Sequence, residues 1–169
     1  MKKNLVLLGM MAVGKSTLGK IVSKKQGLEF VDIDESIEGK NAMTVSQIFE
    51  KKGEKFFRNE EENEVLKYLE KKNFVISLGG GAFINKTLRE NILKKAVSIW
   101  LDADIETLIQ RVKWNKKRPL LKNEDSQKKM QDLYDKRKDI YKLANHKIKC
   151  DNLEQDVIAK KIIEIYEKY

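Results

Sequence analysis

Short apolar runs alternate with helix-periodic stretches along the whole chain. The runs Leu5–Leu8, Glu29–Ile33, Phe74–Leu78, Val97–Leu101 and His146–Cys150 have strand length and the near-continuous apolar character of strands buried on both faces. Between them, apolar residues recur at three- and four-residue spacing, as in Leu18, Ile21 and Val22 or Leu66 and Leu69, which predicts amphipathic helices. A last helix is predicted over Gln155–Tyr169, with Val157, Ile158, Ile162, Ile163 and Ile165 on its apolar face. Alternation of this kind argues for an α/β three-layer sandwich: a five-stranded parallel sheet with helices on both faces.

Two regions interrupt the pattern. Between the second and third strands two helices are expected rather than one. Thr44-Val45-Ser46-Gln47 reads as a capping box opening the first, Gly53 ends it, and the second runs from about Glu54 to Lys72. Residues 34–72 thus form a helical insert. The stretch 113–125 is polar, lysine-rich and holds the only proline, Pro119. It fits either a lid beside a nucleotide site or an ordinary surface loop. No repeat, linker or composition shift divides the chain, so 1–169 reads as a single domain.

Composition narrows the function. With 41% hydrophobic and 36% charged residues, the 169-residue chain suits one soluble core, and no apolar run reaches membrane-spanning length. The basic start Met1-Lys2-Lys3 runs straight into a strand and a motif, so it reads as mature chain and not as a signal peptide. One cysteine, Cys150, excludes an internal disulfide, suits the cytoplasm and reads as a small buried hydrophobe. A single histidine, His146, leaves neither a His-based metal site nor a Ser-His or Cys-His catalytic unit well supported. The net charge of +9 fits a nucleic-acid binder or a solvated lysine coat. Of 35 basic residues only Arg58, Arg89, Arg111, Arg118 and Arg137 are arginine, and the lysines fall in scattered pairs. That argues for a lysine coat, and it makes the five arginines candidates for anion recognition, where a rigid bidentate fork is needed.

Gly9-Met10-Met11-Ala12-Val13-Gly14-Lys15-Ser16 fits G-x-x-x-x-G-K-[ST] between a predicted strand and a predicted helix. Glycines let backbone N–H groups curl around phosphate oxygens, and the helix N-terminus adds partial positive charge. In such a loop Lys15 reaches the β- and γ-phosphates and the Ser16 hydroxyl ligates Mg²⁺. The GTPase base-reading motif fails, because Asn85-Lys86-Thr87-Leu88 lacks the aspartate. Asp102 and Asp104 follow an apolar strand as in a motor ATPase, but they sit just before a helix and read as caps. A small-molecule kinase fits best.

On the acceptor side, Asp32-Ile33-Asp34 ends the second predicted strand, so alternation aims both carboxylates to one side at the ligand-binding end of a parallel sheet. Capping of the next helix is the competing role. Arg58 and Glu61, three apart on a helix, share a face, as a surface ion pair or as a guanidinium held for a ligand. Gly79-Gly80-Gly81 follows the third strand and allows close approach of a ligand to backbone N–H groups.

Taken together, the P-loop Gly9–Ser16, the D-x-D at Asp32 and Asp34, G-E-x-x-F-R-x-x-E at Gly53–Glu61, the Gly79–Gly81 triplet and Arg118-Pro119-Leu120-Leu121 resemble shikimate kinase in order and spacing over essentially the whole chain. The resemblance implies a P-loop kinase fold with 34–72 as acceptor-binding insert and 113–125 as lid. It implies ATP as co-substrate, bound by Ala12, Val13, Gly14, Lys15, Ser16, Thr17, Arg111 (stacking on adenine) and Arg118, with one Mg²⁺ per subunit held by Ser16 and, through water, Asp32. Shikimate would be held by Asp34, Arg58, Gly79, Gly80, Gly81 and Arg137, with Lys15, Asp34 and the lid arginine Arg118 catalytic. The product would be shikimate 3-phosphate, on the route to chorismate and the aromatic amino acids. Arg89 is left as a surface residue. The sequence departs from the family pattern at Ala12, often Gly; at Leu78, usually Thr; and at Lys138-Asp139-Ile140-Tyr141, usually x-P-L-Y, where Tyr141 fixes the register. The expected enzyme is a cytoplasmic monomer whose partners are small molecules, with neither nucleic acid nor membrane. The rival acceptor is another small acid or polyol, such as gluconate, on the same fold; the rival class is a basic nucleotide-dependent nucleic-acid binder, disfavoured by the scattered lysines with few aromatics between them.

Overall fold

The structure is a computed structural model, and it describes residues 3–114 and 124–169. Five strands, β1 (Asn4–Leu8), β2 (Glu29–Asp32), β3 (Phe74–Ser77), β4 (Ala96–Asp102) and β5 (His146–Lys149), pair in parallel in the order β2-β3-β1-β4-β5. All five predicted strands are present within a residue or two at each end. β1 and β4 are buried at every position, as their near-continuous apolar runs require, with the polar Asn4, Ser98 and Asp102 buried among them.

The connections set the site. β1 leads through α1 (Lys15–Gln26) to β2 at one edge, whereas β3 leads through α4 (Lys86–Lys95) to β4 on the other side of β1. The chain therefore diverges between β1 and β3, and ligands bind in α/β sheets at the carboxyl end of such a divergence. α1 lies over β2 and β3, where Gly19 meets the ring of Phe30, and it packs beside α7 (Gln155–Tyr166). α3 (Val45–Glu70) and α4 pack against one another, and α6 (Glu124–Tyr141) packs on α5 (Ile105–Trp114) and on a short 3₁₀ turn, Ala82–Ile84, after the glycine triplet.

Three helical pieces, not the two expected, lie between β2 and β3. The additional one is α2 (Ile33–Asn41), which starts directly after β2. Asp32 caps it, accepting from the Glu35 N–H at 3.2 Å, and the first turn carries Asp34 and Glu35, which favour the positive helix end. Asp34 is therefore helical, and strand alternation is not what aims it. α3 (Val45–Glu70) opens with the expected capping box, Thr44 and Gln47 each closing on the other's backbone N–H at 3.2 and 2.9 Å. Its two halves meet at Gly53, whose φ of 85° breaks the helix where the sequence placed a stop. α7 ends at Tyr166, three residues short of the expected terminus, and single turns follow it.

Candidate active site

The P-loop joins β1 to α1. Gly14 is the N-cap of α1, no side chain caps that helix, and its first turn carries no acidic residue. α2, α3 and α4 are each closed by a side chain, from Asp32, Thr44 and Asn85. An uncapped helix start offers free N–H groups and a positive field, the binding site for a phosphate. Lys15 donates to the carbonyls of Gly9 and Met10 at 2.8 and 2.9 Å, so its ammonium rests on the loop.

Ser16 donates its hydroxyl to one oxygen of Asp32, whose other oxygen caps α2. Asp32 thus caps α2 and reaches the P-loop serine with the same carboxylate. Ser77 lies beside Asp32 in the sheet register, is 1% exposed, and its hydroxyl has no partner among the described residues. By alternation it points to the side of the sheet that α1 covers, as Phe30 and Asp32 do. Hydroxyl, carboxylate and orphaned hydroxyl form a hard oxygen set that fits Mg²⁺ with its waters. Ser77 stands one residue before Leu78, which is itself buried where the family usually has Thr, and no motif marks it.

A cleft of about 380 Å³ opens beside the loop, lined by Ala12, Val13, Gly14, Thr17 and Arg111 together with Leu18, Leu153, Gln155 and Ile158. Arg111 donates to the carbonyls of Ala12 and Val13 at 3.2 and 3.4 Å. Leu153, Gln155 and Ile158 follow β5 and reach the loop only through the fold, so nothing in their local sequence marks them. Asp151 accepts from the Asp104 N–H at 2.9 Å and meets Lys149, which fixes the start of α5 to this loop.

The glycine triplet is built differently. None of its residues has a positive φ, so backbone freedom is not what selects glycine there. Space is. A Cβ on Gly79 would lie 2.7 Å from Asp34 Oδ1 and 2.9 Å from Glu61 Oε1; one on Gly80, 3.0 Å from an Arg137 nitrogen; one on Gly81, 2.7 and 2.8 Å from the Arg58 nitrogens. Four charged side chains from α2, α3 and α6 therefore lie against three bare Cα positions. Among the described residues, neither Gly80 nor Gly81 donates its N–H to another backbone group.

Electrostatics strain this cluster. Burial, with Asp32 and Glu61 nearby, pushes the Asp34 carboxyl up to about 6, against the pull of Lys15. Burial also raises Glu61, and outweighs its ion pair with Arg58 at 2.7 Å and the nearby Arg137. Asp34 Oδ1 and Glu61 Oε1 are both buried without a partner. Arg58 is held from several sides, by Glu61, by Glu54 at 3.6 Å and over the ring of Phe57 at 5.4 Å. Its half-exposed guanidinium keeps donors for an anion.

Arg137 needs no proline after it. α6 runs unbroken to Tyr141, with Lys138 and Lys142 paired to Asp135 and Asp139 three residues before each. Two other readings change. Arg89 is not a plain surface residue, since it donates to the carbonyls of Phe83 and Ile84, both at 3.1 Å, and closes the turn behind the triplet. Asp102 caps nothing: it is the buried end of β4, paired with Lys147 at 3.1 Å and accepting from Tyr134 at 3.2 Å. Cys150 is fully buried, and burial lifts its thiol to about 11. Arg118 and most of the expected lid lie outside the described residues.

A Cβ on Gly80 would lie 3.7 Å from the Gly9 carbonyl, so the triplet and the P-loop adjoin. A phosphate loop bordering an arginine-lined pocket at one sheet end defines a P-loop kinase of small molecules. The family model described as shikimate kinase matches residues 11–167. A shikimate kinase of Brucella canis is 39% identical over 163 residues, 96% of this chain and 82% of the relative. The solved shikimate kinase of Acinetobacter baumannii, in complex with shikimate, has a TM-score of 0.91 at 32% identity, covering 99% of this chain and 94% of that one. The chain belongs to the shikimate kinase family. A gluconokinase of Sinorhizobium meliloti, at a TM-score of 0.62 and 12% identity over 98% and 92% of the two chains, shares the fold alone.

Proposed function

We propose that this chain, an ATP-dependent kinase of shikimate, transfers the γ-phosphate to the 3-hydroxyl across the crevice between β1 and β3, giving shikimate 3-phosphate and ADP. The observation that carries the residue assignment is the triplet, against which Arg58, Arg137, Asp34 and Glu61 all lie. Arg58 and Arg137 grip the acceptor carboxylate, and the N–H groups of Gly79–Gly81 complete the pocket. Asp34 accepts from the acceptor hydroxyls and orients the attacking one. Its carboxyl near 6 leaves it ionised at neutral pH, yet basic enough to take the proton as transfer proceeds.

On the donor side, Ala12–Thr17 and the bare start of α1 cradle the phosphates, Lys15 turns from the loop carbonyls to the γ-phosphate, and Arg111 covers the base. Ser16 and Asp32, the latter through water, hold one Mg²⁺, which when bound neutralises the β- and γ-oxygens. Arg118, outside the described residues, would by the family resemblance be the arginine that meets the migrating phosphate. Phosphoryl transfer needs little beyond positioning and charge stabilisation, which this arrangement supplies. The enzyme works as a cytoplasmic monomer on small molecules alone. No helix among the described residues is long and apolar enough to cross a membrane.

Arg58→Lys tests the assignment. It keeps the charge and loses the bidentate fork, so the KM for shikimate should rise more than tenfold in a coupled ADP-release assay. Near-unchanged shikimate affinity would overturn the pocket. Running gluconate and nucleoside monophosphates alongside checks the acceptor, since turnover on either in preference to shikimate contradicts the reading.

A further inference from the structure

Tyr141 closes α6 and is fully buried, its ring 5.7 Å from that of Trp100. Its hydroxyl donates to the carbonyl of Gly80, the middle residue of the triplet, and lies 3.9 Å from Met10 Sδ in the P-loop. Arg137 stands one turn before it on the same helix, against Gly80, with its charge toward the phenol. One side chain of α6 thus touches both the glycine triplet and the phosphate loop. Burial pushes the phenol up to about 12, so it remains a donor at every working pH.

We infer that Tyr141 is a positioning residue for the acceptor site, acting through the Gly80–Gly81 peptide. That peptide is trans, as are all among the described residues, and a planar trans peptide points its carbonyl and its N–H in opposite directions. Fixing the Gly80 carbonyl on Tyr141 turns the Gly81 N–H away from the helix, on the residue that Arg58 flanks. The same contact seats Arg137 against Gly80. Both effects serve the carboxylate end of the acceptor and neither serves the nucleotide. The inference rests on the pocket assignment above.

Tyr141→Phe keeps the ring and its packing and removes the donor. The expected result is a five- to twentyfold rise in KM for shikimate, with KM for ATP within twofold and a smaller change in kcat. Tyr134→Phe is the control, because Tyr134 sits on the same helix and donates to the buried Asp102, away from the triplet. It should lower the melting temperature and leave both KM values in place. Equal rises in the two KM values for Tyr141→Phe, or a shikimate-selective rise in Tyr134→Phe, reduces Tyr141 to a helix anchor and overturns the inference. Loss of shikimate affinity in Arg58→Lys with none in Tyr141→Phe overturns the Tyr141 role alone; unchanged affinity in both overturns the pocket with it.

Discussion

The donor and acceptor halves of the site reach the same sheet end by opposite routes. The phosphate loop is one contiguous segment whose chemistry is carried by backbone N–H groups and two side chains, Lys15 and Ser16, adjacent in sequence. The proposed acceptor pocket is assembled from α2, α3, α6 and the loop after β3, and its charged side chains come from positions as far apart as Asp34 and Arg137. Glycine does different work in each. In the P-loop Gly9 and Gly14 have φ of 144° and 105°, a backbone need to which Gly9 adds a close approach to the Leu101 carbonyl, whereas the triplet is conformationally ordinary and supplies room for side chains alone. A site built on backbone should tolerate a side-chain methyl where its φ allows one; a site built on converging charges should not.

Adding one methyl on the acceptor side should have the largest effect. Gly79→Ala places a Cβ at 2.7 Å from Asp34 Oδ1 and 2.9 Å from Glu61 Oε1. Both oxygens are buried, and Arg58 braces the other oxygen of Glu61, so the carboxylates must shift and carry Arg58 with them. Displacement of an orienting group by about 1 Å costs on the order of a hundredfold in rate. The expected loss in kcat/KM for shikimate is of that size, while ADP affinity, measured by calorimetry, stays within twofold. A weakening of ADP binding by tenfold or more would show that the halves are not independent.

Asp34 sits between the halves, and its test separates function from stability. The folded carboxyl titrates near 6 and the unfolded one near 3.8, so between these pH values the folded state holds a proton that the unfolded state has released. That contribution is fully present below about pH 4 and is lost as pH rises through 6. At neutral pH the ionised Asp34 therefore destabilises the fold, by roughly 1–3 kcal/mol for a shift of this size. Asp34→Asn should be more stable than the parent at pH 7, nearly equal to it at pH 4, and inactive with shikimate. Urea melts at the two pH values decide it: a stability gain of equal size at both would mean that the charge is not the cause. In the parent, kcat/KM should fall as pH drops below about 6.

The two halves also differed in how far the sequence revealed them. The P-loop could be read outright, because a phosphate loop needs its residues at fixed local spacing. The sheet could be read too, since strands buried on both faces write near-continuous apolar runs. α2 was less legible: Asp32 and Asp34 look alike in an extended reading, and only the cap on Glu35 N–H shows that the first ends the strand and the second begins a helix. The acceptor arginines stood out because the chain otherwise uses lysine, yet Arg89, chemically the same, closes a turn. Ser77 and Ile158 carried no local signal for the positions they take, which arise from strand register and from the return of α7 to the loop.

Removing one methyl on the donor side should have the smallest effect. Ala12 adopts a φ of 66°, the left-handed region, in a family that often places glycine there. Left-handed geometry costs a non-glycine residue about 1–2 kcal/mol. Ala12→Gly relieves that strain but frees the unfolded chain by about 0.4–1 kcal/mol, so the net gain in stability should be about 0–1.6 kcal/mol. In the proposed site the phosphate contacts belong to backbone N–H groups, and the carbonyl of Ala12 keeps its bond to Arg111 whichever residue stands there. ADP affinity should therefore hold within twofold. A tenfold loss would mean that the Ala12 methyl itself orders the loop. One methyl would then weigh on the donor side as it does at Gly79, and the distinction between a backbone site and a side-chain site would fail.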